Sequence, residues 1–292
     1  DRVVNLAWPQ DGISDAVITA ENSDVVVICV GLDETLEGEE GDTGNSDASG
    51  DKKDLHLPKV QEELIEKVTA VGKPTVVVLM AGSAIDLNYA QENCNGILLA
   101  WYPGARGGKA VADLLFGKVS PSGKLPVTFY KDLEGMPEFT DYTMKGRTYR
   151  YMEKEPLYPF GYGLTYGNVE VTDGKLLNQV TADSDIEVEV TVENKGKTAT
   201  EEVVQLYIKD LESPLAVRNH SLCGFKRVSL EPGEKKKLSF TVKNRAMAVV
   251  DEAGERHIDS KSFKIFAGIS QPDSRSLTLT GKKPAEINVT LG

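Results

Sequence analysis

The hydrophobic pattern of this chain changes period once, near Val169. Upstream, compact apolar runs alternate with helical spacings. Val25-Val26-Val27-Ile28-Cys29-Val30-Gly31 is a continuous β-branched run ending in glycine, as in a strand covered on both faces. Ile13, Val17 and Ala20 before it have helical spacing. Pro58 to Val68 is an amphipathic helix with proline at its start, and Gly72-Lys73-Pro74 breaks the chain after it. Thr75–Met80 and Gly96–Trp101 are further buried strands, and Gly107–Leu115 is a small-residue helix closed by Gly117. This alternation predicts a parallel sheet flanked by helices, with ligands beyond the carboxyl ends of the strands. Those ends are Gly31 onward, Ala81-Gly82-Ser83 and Tyr102-Pro103-Gly104. Downstream the period is two. Ile186, Val188, Val190 and Val192 alternate with polar residues. Val203–Ile208, Leu238–Val242 and Phe263–Ala267 follow, separated by turn signals such as Glu231-Pro232-Gly233-Glu234. Short strands at this spacing predict a β-sandwich. Between the halves, residues 131–166 are rich in Tyr, Phe, Pro and Gly, as in an ordered connector.

Composition narrows the function classes. The 292 residues are 40% hydrophobic and 27% charged, enough apolar material for two cores and inconsistent with disorder of the whole chain. No run approaches the roughly 18 apolar residues that a membrane span needs. With 45 acidic and 33 basic groups the net charge is −12, which repels a phosphate backbone and argues against nucleic-acid binding. Cys29, Cys94 and Cys223 are dispersed, as are His56, His220 and His257, so neither a disulfide framework nor a metal site is expected. Cys29, inside an apolar run, reads as a core residue. The chain begins Asp1-Arg2-Val3 without Met or a signal-peptide core, as expected of a processed or split chain, and its unpaired cysteines fit the cytoplasm.

Two stretches invite chemistry. The loop after Gly31 runs Leu32-Asp33-Glu34-Thr35-Leu36-Glu37-Gly38-Glu39-Glu40-Gly41-Asp42 and on to Asp51. It is long for a strand-to-helix connection. Crowded carboxylates raise one another's pKa, so one could stay protonated and act as a general acid; a solvated or cation-binding loop is the other reading. Trp101-Tyr102-Pro103-Gly104-Ala105-Arg106-Gly107-Gly108 could hold an anion at a helix N-terminus, or its glycines could permit close packing. Trp101 is either core or a sugar-stacking platform. No Ser-His-Asp set assembles: no GxSxG is present, and His56 has no evident acid partner.

In this order the pieces resemble glycoside hydrolase family 3. The resemblance rests on Val27–Leu32, Leu36-Glu37-Gly38-Glu39-Glu40, Leu55–Gln61, Trp101-Tyr102-Pro103-Gly104 with Gly107-Gly108, Val119–Thr128, Tyr158–Tyr166, Gln205-Leu206-Tyr207, Gly224-Phe225 and Leu230–Glu234. It implies the C-terminal half of a β-glucosidase or related retaining exo-glycosidase. The implied fold is α/β, a mostly parallel sheet in an incomplete three-layer sandwich at 1–130, a connector at 131–166, and an all-β fibronectin type III-like sandwich at 167–292. Of the acidic loop, Glu39 best matches the family's acid/base, with Glu37 and Glu40 as competitors. Asp42-Thr43 stands where the family has Asp-Arg, and the loop is longer. Arg147, Tyr149 and Arg150 are expected either near the substrate or as anchors of the connector. The implied partners are a β-glucoside or short β-linked oligosaccharide and a (β/α)8 barrel carrying the nucleophile, which this chain lacks. No cofactor or metal is implied. The sandwich is expected to be structural and is a candidate face for homodimer pairing. β-Xylosidase, or a non-catalytic carbohydrate-binding or assembly module, is the alternative.

Overall fold

The computed structural model describes residues 9–34, 36–38 and 52–292. The chain divides into two compact units, residues 1–113 with 129–134, and residues 114–128 with 135–292. Glu39 and Glu40 lie outside the described residues.

The first unit runs α1 (Pro9–Glu21), β1 (Val26–Gly31), α2 (Lys59–Thr69), β2 (Thr75–Met80), α3 (Asn88–Asn93), β3 (Gly96–Leu99) and the start of α4 (Gly107–Leu115). The strands form a parallel sheet in the order β1-β2-β3. Central β2 holds Val77, Val78 and Leu79 at full burial, as its unbroken apolar run requires. In α2, Leu64, Ile65 and Val68 form the buried stripe, while Glu62 in the first turn and Lys67 in the last complement the helix dipole.

Strand β1 differs from the expectation of burial on both faces. Ile28 and Val30 are buried, but Val25, Val27 and Cys29 are exposed. Cys29 is therefore not a core residue. The cause is the place of β1 at the sheet edge among the described strands: Val25 to Val30 border an open groove shared with α1 and α2, and alternation buries only Ile28 and Val30.

The second unit is built from two antiparallel sheets, ordered β12-β11-β6-β7 and β4-β5-β8, from β4 (Val169–Leu176), β5 (Ile186–Asn194), β6 (Thr200–Asp210), β7 (Ser221–Leu230), β8 (Lys235–Val242), β11 (Ser262–Gly268) and β12 (Ala285–Thr290). A small hairpin, β9 (Val249–Val250) with β10 (Arg256–His257), and the helices α5 (Thr148–Tyr151) and α6 (Ser274–Thr280) complete it. In β5, Val188, Val190 and Val192 are wholly buried, and the alternate Glu189 meets Lys175 at 3.1 Å and Lys237 at 3.2 Å. Each buried valine contributes about 1.5–3 kcal/mol by removal from water. Both sheets contribute to one core, which includes Leu206, Phe240, Phe263 and Ile265.

The connector glycines have steric reasons. Gly161 has φ +78°, and a Cβ there would lie 2.3 Å from Gln205 Oε1 and 2.5 Å from the Tyr207 hydroxyl. Gln205 donates through Nε2 to the carbonyls of Gly161 and Ile269 and accepts from Tyr207 at 2.6 Å. This buried network ties the Tyr158–Gly163 motif to β6.

Candidate active site

The acidic loop leaves the sheet through a closed stem. At Gly31 a Cβ would fall 1.8 Å from the Met80 carbonyl oxygen, so only glycine fits. The Gln61 amide grips the same residue twice, accepting from the Gly31 N–H at 2.8 Å and donating to its carbonyl at 2.9 Å. Leu32 N–H donates to Met80 O. The Asp33 carbonyl then accepts from the N–H groups of Leu36 and Glu37, a turn that carries Glu37 back toward the strand ends.

Glu37 is half-buried, and its Oε2 accepts from the Tyr102 hydroxyl at 3.0 Å. The Tyr102 phenol is pushed up, first by burial and then by its hydrogen bond to Glu37. Gly82 leaves the room this needs, since a Cβ there would sit 2.8 Å from the Tyr102 ring and 3.5 Å from Glu37 Oε2. On the return side of the loop, the Lys52 ammonium donates to Ser83 Oγ at 3.1 Å and to the Ala84 carbonyl at 2.9 Å. Burial lowers its pKa, opposed by the charges of Glu37 and Asp54. Residues following β1, β2 and β3 and one preceding α2 thus meet in one cluster. His56, which lacked an evident acid partner in the sequence, bonds Glu62 Oε1 at 2.8 Å, and that contact raises its pKa. Its place is beside the first turn of α2.

Trp101 has φ +52°, a left-handed conformation rare outside glycine, and Gly104 has φ +65°. At Gly107 a Cβ would strike the Pro103 ring at 2.4 Å. The glycines at 104 and 107 therefore serve the turn and the packing that start α4.

In the second unit, Arg147 Nη2 donates to the carbonyls of Glu138 at 2.8 Å and Asp141 at 2.9 Å, closing the loop before α5. Tyr149 stacks on Phe160 with centroids 4.5 Å apart, and its hydroxyl accepts from the Leu222 N–H at 3.0 Å. Burial raises its pKa. Arg150 Nε donates to Ser221 Oγ at 3.2 Å. Of the three candidate acids only Glu37 falls within the described residues. Ser83 and Tyr102 belong to the strand ends at which the sequence places ligands, but neither they nor Lys52 was given a site role from the sequence; their position at strand and loop ends was the available signal. Among the described residues, no three His, Cys, Asp or Glu side chains group to hold a metal, and no helix is long and apolar enough to cross a membrane.

Residues 3–166 match the glycosyl hydrolase family 3 C-terminal domain, and residues 202–271 match the fibronectin type III-like domain. This chain belongs to glycoside hydrolase family 3. A putative beta-xylosidase of Formosa agariphila is 38% identical over 95% of this chain and 37% of its own length. A periplasmic beta-glucosidase of Salmonella typhimurium is 32% identical over 89% of this chain and 35% of its own. Among solved structures, a β-glucosidase from Erythrobacter marinus superposes with TM-score 0.83 at 35% identity, covering 98% of this chain and 37% of that one. The chain thus spans a little over a third of these relatives.

Proposed function

We propose that this chain supplies the acid/base carboxylate, Glu39, of a retaining exo-acting β-glycosidase that hydrolyses terminal β-D-glucosyl residues. The observation that carries the reading is the acidic loop anchored at the carboxyl ends of a parallel sheet, the edge at which α/β folds place ligands. Glu39 would protonate the departing glycosidic oxygen while a nucleophilic carboxylate outside this chain attacks the anomeric carbon. Glu39 would then take a proton from water as that water opens the glycosyl ester. Glu37 already accepts from the Tyr102 hydroxyl, so its carboxylate is engaged at the strand ends, whereas Glu39 is the better match to the family's acid. The nucleophile's (β/α)8 barrel is the required partner, and the first unit belongs to a three-layer sandwich in this reading. The substrate-contact role expected of Arg147 and Tyr149 competes with contacts they already make, so here they hold the connector.

A β-xylosidase is the second reading. It is favoured by relatives so named at 38% and 39% identity, against 32% for the Salmonella β-glucosidase. The test is hydrolysis of p-nitrophenyl β-D-glucoside and β-D-xyloside by this chain joined to its barrel portion. Loss of activity in Glu39→Ala with rescue by azide supports the assignment. Unchanged hydrolysis in that variant removes it, and the ratio of the two substrates decides between the readings.

A further inference from the structure

Tyr102 stands just past the end of β3, at the sheet edge where α/β folds place ligands, and 52% of it is open to solvent. An exposed aromatic ring samples several rotamers unless something holds it. Here two contacts do. Its hydroxyl donates to Glu37 Oε2 at 3.0 Å, and its ring edge lies over Gly82, where a Cβ would come within 2.8 Å of Cε2. The Gly82-Ser83-Ala84 segment beneath is itself braced, since Lys52 donates to Ser83 Oγ and to the Ala84 carbonyl. The preceding Trp101 has a left-handed φ of +52°, which a residue other than glycine keeps only where its surroundings impose it, and such residues gather at ligand contacts. The result is a ring of fixed orientation, open to solvent, with a carboxyl at its rim.

A pyranose matches that pair. Its axial C–H groups form an apolar face and its equatorial hydroxyls a polar rim. An aromatic ring takes the first and a carboxyl the second. A carboxyl bonds hydroxyls with or without its proton, and its two oxygens serve more than one partner. Among the described residues Tyr102 engages only Oε2 of Glu37. We infer that Tyr102 and Glu37 form a sugar-binding contact on this chain, the Tyr102 ring stacking on a pyranose of a β-linked disaccharide and the Glu37 carboxyl bonding its hydroxyls. The inference rests on the glycosidase reading for the class of ligand. Every group it uses lies at the strand ends of the first unit.

The test uses the protein that joins this chain to its barrel portion. Its tyrosines are replaced by 3-fluorotyrosine, and the Tyr102 signal is identified by its loss in Tyr102→Phe. The sulfur-linked analogues of cellobiose and xylobiose, which resist hydrolysis, are then titrated and followed by fluorine NMR. The Tyr102 signal should move saturably with one or both, whereas sorbitol, which has hydroxyls and no ring face, should leave it in place. In hydrolysis of the matching disaccharide, Tyr102→Ala should raise KM at least about tenfold with kcat little changed, as expected for a truncated aromatic contact. Tyr102→Phe keeps the ring and should raise KM less. An unmoved Tyr102 signal in an enzyme that cleaves either disaccharide overturns the inference alone. So does a Tyr102→Ala variant that loses kcat and melting temperature without a change in KM, because the ring is then a brace of the strand ends. Hydrolysis abolished in Glu37→Gln and restored by azide would make Glu37 the acid and overturn its part in the contact. A wild-type enzyme that cleaves no β-glycoside sinks the glycosidase reading instead, and a saturable Tyr102 signal would still establish the contact.

Discussion

Lys124→Met should destabilise the second unit sharply, in a manner that depends on pH. Glu202 is wholly buried in β6, and its Oε1 meets Lys124 Nζ at 2.8 Å and accepts from the Val203 N–H at 2.7 Å. Oε2 has no hydrogen-bond partner among the described residues. Lys124 also donates to the Gly163 carbonyl at 2.6 Å, so the pair pins the stretch at Lys124 and the end of the connector onto β6. Removing one member of a buried pair costs about 3–5 kcal/mol, because the remaining charge stays desolvated. For a unit of this size that corresponds to a fall in Tm of roughly 10 °C. Burial already raises the Glu202 pKa above the ordinary carboxylate value, with Lys124 opposing. A carboxyl with a raised folded pKa is stabilising in its protonated form and loses that contribution as pH rises through the folded value. Without Lys124 this rise is larger, so the variant's deficit should be full near pH 8 and shrink toward pH 5. Calorimetric melting of wild type and variant at both pH values measures it. The double variant Lys124→Met with Glu202→Met should recover most of the loss, since a packed apolar pair replaces the ions. A melting point within 2 °C of wild type at pH 8, or the same deficit at both pH values, would refute the reasoning.

Three further outcomes are expected. Gly161→Ala should cost at least about 2 kcal/mol in urea denaturation, because it combines a left-handed φ with collisions against Gln205 and Tyr207; an unchanged midpoint would count against the steric argument. His220, bonded to Gln271 at 2.7 Å, has its pKa lowered by burial, with that bond opposing. Its stabilisation is present above the ordinary histidine pKa and is lost as pH falls, so wild type should lose more stability than His220→Gln between pH 7 and pH 5. Burial pushes the Cys223 thiol up to about 12, whereas Cys29 is exposed. Iodoacetamide at pH 8 should therefore label Cys29 in the folded chain and Cys223 only after denaturation, as read by peptide mass mapping.

Much of the architecture is legible along the chain because its period is local. The unbroken Thr75–Met80 run needs cover on both faces, and β2 has it. The Val and Glu alternation of Ile186–Asn194 can bury only one face of β5. The period change near Val169 falls where β4 begins. Short elements were less legible. α3 lacks a full amphipathic turn, and α5 is a single turn held in part by Tyr149 and Arg150 contacts to β7.

What the sequence by itself determined is the order of elements, the acidic loop at a strand's carboxyl end and the motifs of the family, because each depends on neighbours within a few residues. Only the tertiary structure decided which of those residues meet. It exposed Cys29, since a strand's burial depends on what lies across it rather than on its own composition. It gave Arg147 to backbone carbonyls and Tyr149 to Phe160 and Leu222. It brought Glu37, Lys52 and Tyr102 onto Gly82-Ser83-Ala84, because parallel strands set side by side deliver their carboxyl ends to one edge however far apart they are in the chain.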